Sequence, residues 1–194
     1  MHPAYHFAMI RGLAVIAVAA ALNVVMAGQA FARQDHPKLE ALFEILQTTD
    51  DAKEALGAIH LIWNLWGRSE SPTTDLMYKK GAKALSQGQL NTALARFTAV
   101  VELDPEFAEG WNKRATVLYM MGDYEGSISD VYRTLELEPR HFGALSGLGM
   151  IYVALDKPKK AISAFRRALA ANPHLRGTRE HIKMLRRKVE GEKT

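Results

Sequence analysis

Four consecutive side chains, Trp111, Asn112, Lys113 and Arg114, have the composition of an anion-binding site. A lysine and an arginine bind phosphate or carboxylate through charge-assisted hydrogen bonds, and an asparagine can donate beside them. Such a site requires the side chains to converge on one point. The elements that carry them decide whether they do.

A period of 34 residues organises the chain around this segment. Pro105, Pro139 and Pro173 share that spacing, and so do three further sets: Gly88, Gly122 and Asp156; Ala93, Ser127 and Ala161; Phe97, Val131 and Phe165. Apolar and small residues within each unit follow helical spacing. Each unit therefore predicts two helices with a turn between them, the second ending before proline, which lacks an N–H and disfavours a helical residue before it.

These units resemble the tetratricopeptide repeat, in three copies at residues 74–107, 108–141 and 142–175. The resemblance implies an all-α fold, a right-handed α-solenoid of three helical hairpins. More loosely, the segments AEGWNKRAT and LELEPRHFGALSGLGMIY resemble exported alphaproteobacterial proteins with this repeat, whose role is poorly defined. Small residues at Gly81, Ala115 and Gly149 predict close helix contacts, since a larger side chain would overpack them.

Both flanks of the repeats predict further helices. Residues 33–73 form an N-terminal helical cap and linker, with one helix marked by Leu39, Leu42, Phe43 and Leu46. A second helix carries Leu56, Ile59, Ile62, Trp63 and Trp66 on one face, with Leu61 and Leu65 on another, so we expect it to be buried on more than one side. We expect the pair to cap the first repeat, with a dimer or partner interface as the alternative. Thr74 or Asp75 is placed to cap the first repeat helix.

Residues 176–194 predict a basic C-terminal capping helix and tail, because Ile182, Leu185 and Val189 form a sparse apolar stripe among charged residues. Of the 194 residues, the lysines and arginines exceed the acids by four. That excess belongs to this terminal segment. A solvated basic face is the ordinary interpretation of such a helix.

Residues 1–32 have the layout of a secretory signal peptide. His2, His6 and Arg11 precede an apolar run, and Ala30 and Ala32 provide a cleavage site before Arg33. We therefore expect a periplasmic protein, with an uncleaved membrane anchor as the alternative. The absence of cysteine excludes disulfides, thiolate metal sites and thiol nucleophiles.

No catalytic constellation is found in the sequence. His174 and His181 lack a third metal ligand, and the remaining histidines after Arg33 are expected to be exposed or to cap helices. Ser146 lies in a glycine-rich stretch that does not match G-x-S-x-G and is predicted to be helical. Enzyme activity is unsupported, and no cofactor or metal is expected.

The resemblance implies a peptide-binding groove on the first helix of each repeat. The positions it implies are Asp75, Tyr78, Ala82 and Leu85, then Glu109, Asn112, Thr116 and Tyr119, then Gly143, Ser146, Met150 and Val153. Only Asn112 matches the pattern that grips a C-terminal carboxylate, because Ser146 and Met150 stand where a basic pair is needed. We expect a small, neutral groove for an extended, weakly polar segment, in which Asn112 can bond a peptide backbone.

Two hypotheses of function follow. The first is an exported, non-enzymatic scaffold or adaptor that binds a protein or peptide in envelope assembly or secretion, with no nucleic-acid partner. The alternative is an envelope-surface protein whose basic helix from Arg176 to Lys188 binds anionic lipid or an acidic polymer.

The repeat register also predicts that the side chains of residues 111–114 point in different directions, with Lys113 toward solvent. Arg114 takes a seat filled by Leu148 in the next repeat, so it needs a partner, and Asp130 is the first candidate.

Overall fold

The computed structural model describes residues 36–191, in which the regular secondary structure is α-helical. The helices are α1 (Pro37–Thr48), α2 (Ala52–Trp66), α3 (Pro72–Ser86), α4 (Leu90–Leu103), α5 (Ala108–Met121), α6 (Tyr124–Leu137), α7 (Phe142–Ala154), α8 (Pro158–Ala171) and α9 (Arg176–Gly191). None of these helices combines the length and the apolar character that a bilayer span requires. The predicted signal peptide lies outside the described residues.

Three helical hairpins, α3–α4, α5–α6 and α7–α8, pack in chain order as an α-solenoid. Their turns pass through positive φ at Gly88, Gly122 and Asp156, a conformation that glycine adopts without strain and aspartate tolerates. The second helices end at residues 103, 137 and 171, before the three prolines. The predicted three-hairpin architecture is confirmed.

Small and large side chains alternate across the helix contacts of the repeats. A side-chain carbon added at Gly81 would lie 2.9 Å from the Phe97 ring, and one at Gly149 only 2.3 Å from the Phe165 ring. The second repeat holds the smaller pair Ala115 and Val131 in one buried cluster. Where the partner is phenylalanine the seat is glycine, because the summed volume of the pair must stay within the same gap.

Helix α9 continues the stack beyond the third repeat. Ile182 is buried with Ile162 and Phe165, and Leu185 and Val189 pack against the same cluster. His181 stacks on Phe165 with ring centroids 5.3 Å apart. The predicted capping helix is confirmed, and most of its exposed side chains are charged.

The helices α1 and α2 do not cap the first repeat, and that expectation is wrong. Their buried cluster takes in Phe142 at the start of α7, with Ala171 and Leu175 beside it, and contains no residue of the first repeat. Two hydrogen bonds join Gln47 to the carbonyls of Ala170 and Ala171 at the end of α8. The N-terminal pair therefore packs on the third repeat, and Arg140 at the end of the second repeat lies 4.2 Å from the Phe43 ring centre.

Two further expectations for this region are corrected. The buried residues of α2 are Ala55, Ala58, Ile62 and Trp66, which lie along one face. On the predicted second face Leu65 packs against the cluster but Leu61 is 53% exposed, so α2 is not buried along two faces. Helix α3 is capped by Ser71, whose hydroxyl accepts from the Thr74 N–H, because the helix begins at Pro72 and not at residue 74. Pro72 at the first helical position suits this earlier start, since its missing N–H is not needed there.

Candidate functional site

The first helices of the three hairpins, α3, α5 and α7, lie side by side, with α5 contacting the other two. The surface formed by the twelve positions that the repeat register predicts for a groove is called here the inner surface. Two of its polar side chains, Tyr78 and Asn112, are bonded to a third, Glu109. Its later turns carry a different set of side chains.

The segment 111–114 does not converge on one point, as its helical register predicts. The Trp111 indole N–H donates to the Pro105 carbonyl at 2.9 Å. Asn112 and Lys113 both contact Glu109, so the expectation that Lys113 faces only solvent is wrong. The two side chains bind a carboxylate of the protein itself, and this leaves no anion site for a ligand.

Arg114 pairs with Asp130 of α6, as predicted. Its Nε and one terminal nitrogen each lie 2.7 Å from an oxygen of the Asp130 carboxylate, which is the two-pronged geometry that suits guanidinium and carboxylate. Asp130 is buried while Arg114 reaches partial exposure beside the Trp111 ring. The pair explains how an arginine can occupy a leucine seat, since its charge is matched and its stem still packs.

Glu109 is the centre of a buried hydrogen-bond network. Its Oε1 accepts from the Tyr78 hydroxyl at 3.2 Å and lies 3.0 Å from Lys113 Nζ. Its Oε2 accepts from Asn112 Nδ2 at 2.8 Å and lies 3.0 Å from His141 Nε2. Glu109 is only 1% exposed, and the network satisfies both oxygens of a carboxylate that would otherwise be costly to bury.

The contacts of His141 define its tautomer. Its Nδ1 accepts a hydrogen bond from the Ala144 N–H at 3.1 Å, which caps α7. A nitrogen that accepts carries no proton, so in the neutral ring the proton is on Nε2, facing Glu109. His141 thus links the start of α7 to the Glu109 carboxylate of α5 by donating to it.

Electrostatics keep Glu109 ionised. Burial by itself would raise the pKa of the Glu109 carboxyl, but the hydrogen bond with His141 and the charge of Lys113 outweigh burial and hold that pKa below its usual value. Burial raises the pKa of the Tyr78 phenol, and the Glu109 carboxylate raises it further. Tyr78 therefore acts as a proton donor in a hydrogen bond and not as an acid.

Helix α2 covers this network with two indole rings. Trp66 stacks on the His141 ring at a centroid distance of 4.1 Å, and Trp63 meets the same ring edge-on at 5.5 Å. The Lys113 ammonium lies 5.6 Å from the Trp63 ring centre. A side-chain carbon at Gly143 would lie 2.4 Å from Trp63, so only glycine leaves room for the indole.

One difference among the repeats explains why α2 packs at the start of α7. Asp75 and Glu109 occupy the register position of Gly143 in the first and second repeats. Only the third repeat therefore offers a flat seat for an aromatic ring. Tyr78, Glu109, Asn112 and Gly143 of the inner surface, together with the neighbouring Lys113 and His141, form what we call the closed half.

The later turns of α5 and α7 remain accessible. Thr116 and Val153 are exposed, and Tyr119, Ser146 and Met150 are half-buried. The Thr116 hydroxyl donates to the Asn112 carbonyl within its own helix, and Tyr119 packs against the Tyr124 ring at 5.7 Å. These five residues are called the open half, a mildly apolar strip that carries no charge.

The structure thus separates the eight residues predicted to bind a peptide. Tyr78, Glu109 and Asn112 are joined in the closed half, where Glu109 and Asn112 are buried and engaged with each other. Asp75 accepts from the Ser69 N–H and hydroxyl and so holds the loop before α3. Thr116, Tyr119, Ser146 and Met150 lie in the open half.

Sequence reasoning missed the roles of Trp63, Lys113 and His141. His141 is expected to be exposed or to cap a helix, and it does cap α7, but it is fully buried. The available signal was Gly143 in a seat that is acidic in the other repeats. Among residues 36–191 no group of three or more histidines and acids is placed to hold a metal ion, and Ser146 lies within α7.

Comparison with known proteins identifies the repeat. A tetratricopeptide-repeat family model matches residues 78–136, and a second such model matches residues 142–175. A TPR repeat-containing protein of Rhizobium etli is 33% identical over 178 residues, covering 92% of this chain and 87% of that protein. The chain belongs to the tetratricopeptide repeat family. The predicted family is confirmed, with an alphaproteobacterial relative among the matches.

Solved tetratricopeptide-repeat (TPR) structures share the fold. The first TPR of Spaghetti (RPAP3), bound to an HSP90 peptide, superposes with a TM-score of 0.60 at 21% identity, covering 62% of this chain and 96% of that one. MamA superposes with a TM-score of 0.58 at 19% identity, covering 82% of this chain and 84% of that one. Both likenesses support the α-solenoid of TPR hairpins.

Proposed function

We propose that this TPR protein is a non-enzymatic scaffold that holds a segment of a partner protein on the open half of its inner surface. The observation that carries the proposal is the contrast in polar pairing between the two halves. In the closed half the polar side chains are bonded to one another, whereas Tyr119, Ser146 and Met150 present partly exposed surface without charge. The related Spaghetti (RPAP3) domain, by its title, binds an HSP90 peptide.

The chemistry of the open half suits a neutral segment. An apolar side chain of the partner can pack between Tyr119 and Met150, and the Ser146 hydroxyl can donate to or accept from a peptide backbone. An aromatic ring and a flexible thioether adapt to many apolar side chains, which favours contact area over a strict sequence code. A strongly charged peptide would find no counter-charge there.

The proposal includes export to the periplasm, in envelope assembly or secretion. Its support is the sequence of residues 1–32, with the apolar run and the Ala30 and Ala32 cleavage site. Mass spectrometry of the protein purified from its host should give Arg33 as the first residue. A chain that retains residues 1–32 would overturn cleavage and favour the anchored alternative.

Site-specific cross-linking tests the scaffold. A photoreactive residue in place of Met150 should yield one dominant cross-linked partner in host cells, and Tyr119→Ala should lower that yield at least fivefold. Leu103 on α4 provides the matched control, since it is an exposed apolar residue outside the inner surface. Equal cross-linking from positions 150 and 103, or no effect of Tyr119→Ala, would contradict the proposal.

A further inference from the structure

The last hairpin of the chain has an unusual charge. Residues 157–191, which comprise α8, α9 and the turn before α8, contain eleven lysines and arginines and two acids, Glu180 and Glu190, a formal charge of +9. Residues 36–156 contain eleven lysines and arginines and seventeen acids, a formal charge of −6. The positive charge is therefore not confined to the segment after Arg176, because α8 and the turn before it contribute five of the eleven.

Packing directs these charges outward. The apolar residues of α9 are used against α8 in the cluster of Ile162, Phe165 and Ile182. All eleven lysines and arginines are exposed. The exposed side chains of α8 and α9 are therefore mostly cationic, with Glu180 and Glu190 as the exposed acids.

Few of these charges are neutralised by the protein. Within residues 36–191, the ion pair found in the hairpin joins Lys188 to Asp156 at 2.5 Å. Arg179 donates to the Pro173 carbonyl, and Lys160 lies 5.7 Å from the Tyr152 ring centre. Arg167 borders a cleft shared with Glu40 and Glu44, so we leave it out of the proposed surface.

We infer that the exposed basic face of α8–α9 docks on an anionic lipid membrane. It is distinct from the open half and serves a different partner. The residues that carry it are Lys159 and Arg166 on α8 with Arg176, Lys183, Arg186 and Arg187 on α9. Each lysine or arginine near an anionic lipid surface strengthens binding by about fivefold.

The side chains of this face favour lipid over other polyanions. A single-stranded nucleic acid needs exposed aromatic rings for base stacking, and in residues 157–191 the only phenylalanine, Phe165, is buried. A protein interface needs a central apolar or aromatic anchor, and this hairpin exposes only Met184 among its large apolar side chains, at 56%. A single thioether among cations fits the headgroup layer of a bilayer. The preference over duplex DNA rests on the export proposed for the chain.

The packing of α9 also predicts how the contact behaves. Because its apolar stripe is covered by α8, α9 has no hydrophobic face to insert into the bilayer. Binding is then electrostatic, and it is screened when the Debye length falls from about 8 Å at physiological salt toward about 3 Å at 1 M. The contact is reversible by salt and depends on the fraction of anionic lipid.

A vesicle assay on the full chain tests the inference. The quantity measured is the ratio of binding to vesicles with 30% phosphatidylglycerol over binding to pure phosphatidylcholine. The contribution of residues 1–35 is common to every variant and cancels when variants are compared. At low salt the ratio should be high, and it should approach one at about 1 M salt. For K183E/R187E it should fall on the order of thirtyfold or more, since two attractive charges are reversed.

Control variants make the result decisive. K79E/K80E makes the same change in net charge on exposed residues of α3 and should keep the ratio within about twofold. K159E/R166E on α8 should repeat the loss, so the test does not depend on α9 alone. Equal losses in all variants, or tighter binding to a duplex DNA oligonucleotide or an acidic peptide than to vesicles, would overturn the proposal. The assay does not involve the inner surface, so a negative result leaves the scaffold proposal standing.

Discussion

The closed and open halves of the inner surface are built on the same helices but differ in what covers them. At the first turns of α5 and α7, Trp63 and Trp66 of α2 lie over a network that buries Glu109 and His141. At the later turns, Tyr119 packs beside Tyr124 and Met150 packs against the cluster of Ile162, Phe165 and Ile182, and both side chains keep part of their surface accessible. One repeat pattern thus gives a structural half and an accessible half.

The difference shows that the exposure of a groove position in a TPR protein depends on the neighbouring elements as well as on its place in the repeat. Glu109 and Thr116 are two turns apart on one helix face, yet one is sealed and the other exposed. The deciding residue is Gly143, which admits an indole where the other repeats hold acids. Four substitutions would break or sharpen this comparison, and we order them by expected effect.

Ala161→Glu should have the largest effect, because it disrupts the packing of α8, the second helix of the third repeat. Ala161 is fully buried in the cluster that joins α8 to α9, so the substitution places an unpaired charge in a site with no room for it. We expect a loss of more than about 3 kcal/mol and unfolding of the third repeat. Thermal unfolding followed by circular dichroism measures it. Ser163→Glu on the exposed face of α8 is the control, and an unchanged midpoint for Ala161→Glu would show that the register is wrong.

Arg114→Leu should come second and leave the closed half intact. Removing the guanidinium leaves the buried Asp130 carboxylate without its ion-pair partner, which should lower the free energy of unfolding by about 3 kcal/mol. Neutralising Asp130 in the double variant R114L/D130N should recover most of the loss, because leucine is the native residue of this seat in the third repeat. Chemical denaturation of the single and double variants measures the coupling. A single variant as stable as the wild type would show that the pair contributes nothing.

Gly143→Ala should open the closed half. The added carbon meets Trp63, so α2 must shift, at a cost of about 1 to 2 kcal/mol and with a red shift of tryptophan fluorescence. Gly147→Ala is a matched control on the same helix, since its added carbon meets nothing within 4 Å. Alanine is the better helix former, so that variant should gain up to about 1 kcal/mol. If both variants changed the stability of the protein in the same direction, the result would contradict a close contact between Gly143 and the Trp63 indole.

Glu109→Gln tests the network through its dependence on pH, and this pH-linked difference is the smallest of the four effects. At neutral pH the variant is also destabilised, because its amide turns an N–H group toward side chains that donate to the carboxylate. The pKa of Glu109 is lower in the folded protein, so its stabilisation is present above the unfolded pKa of about 4.3 and is lost as the pH falls through the folded value. Glutamine does not titrate. The free energy of unfolding of the wild type should therefore fall more steeply below about pH 4 than that of the variant. Parallel pH profiles would show that Glu109 is not held ionised by the network.

Much of the fold could be predicted from local patterns. The 34-residue spacing, the prolines and the positive-φ turns are determined by backbone chemistry that neighbouring residues carry themselves. The pairing of Arg114 with Asp130 could also be predicted, since a charge in a leucine seat requires a partner within its own hairpin. The burial of Glu109 and Asn112 could not, because it depends on α2, which is at least 43 residues away from both in the chain.

The sequence by itself determined the helices, the three repeats, the capping helix α9 and the separation of residues 111–114. These follow from periodicity and from the preferences of proline, glycine and small residues, which act over a few residues. Only the tertiary structure decided that α2 lies over His141 and Gly143 and which half of the inner surface stays open. It also decided that the apolar residues of α8 and α9 pack together and leave the cations of both helices exposed. Each of these depends on shape and charge matching between distant segments, and no local pattern encodes such a match.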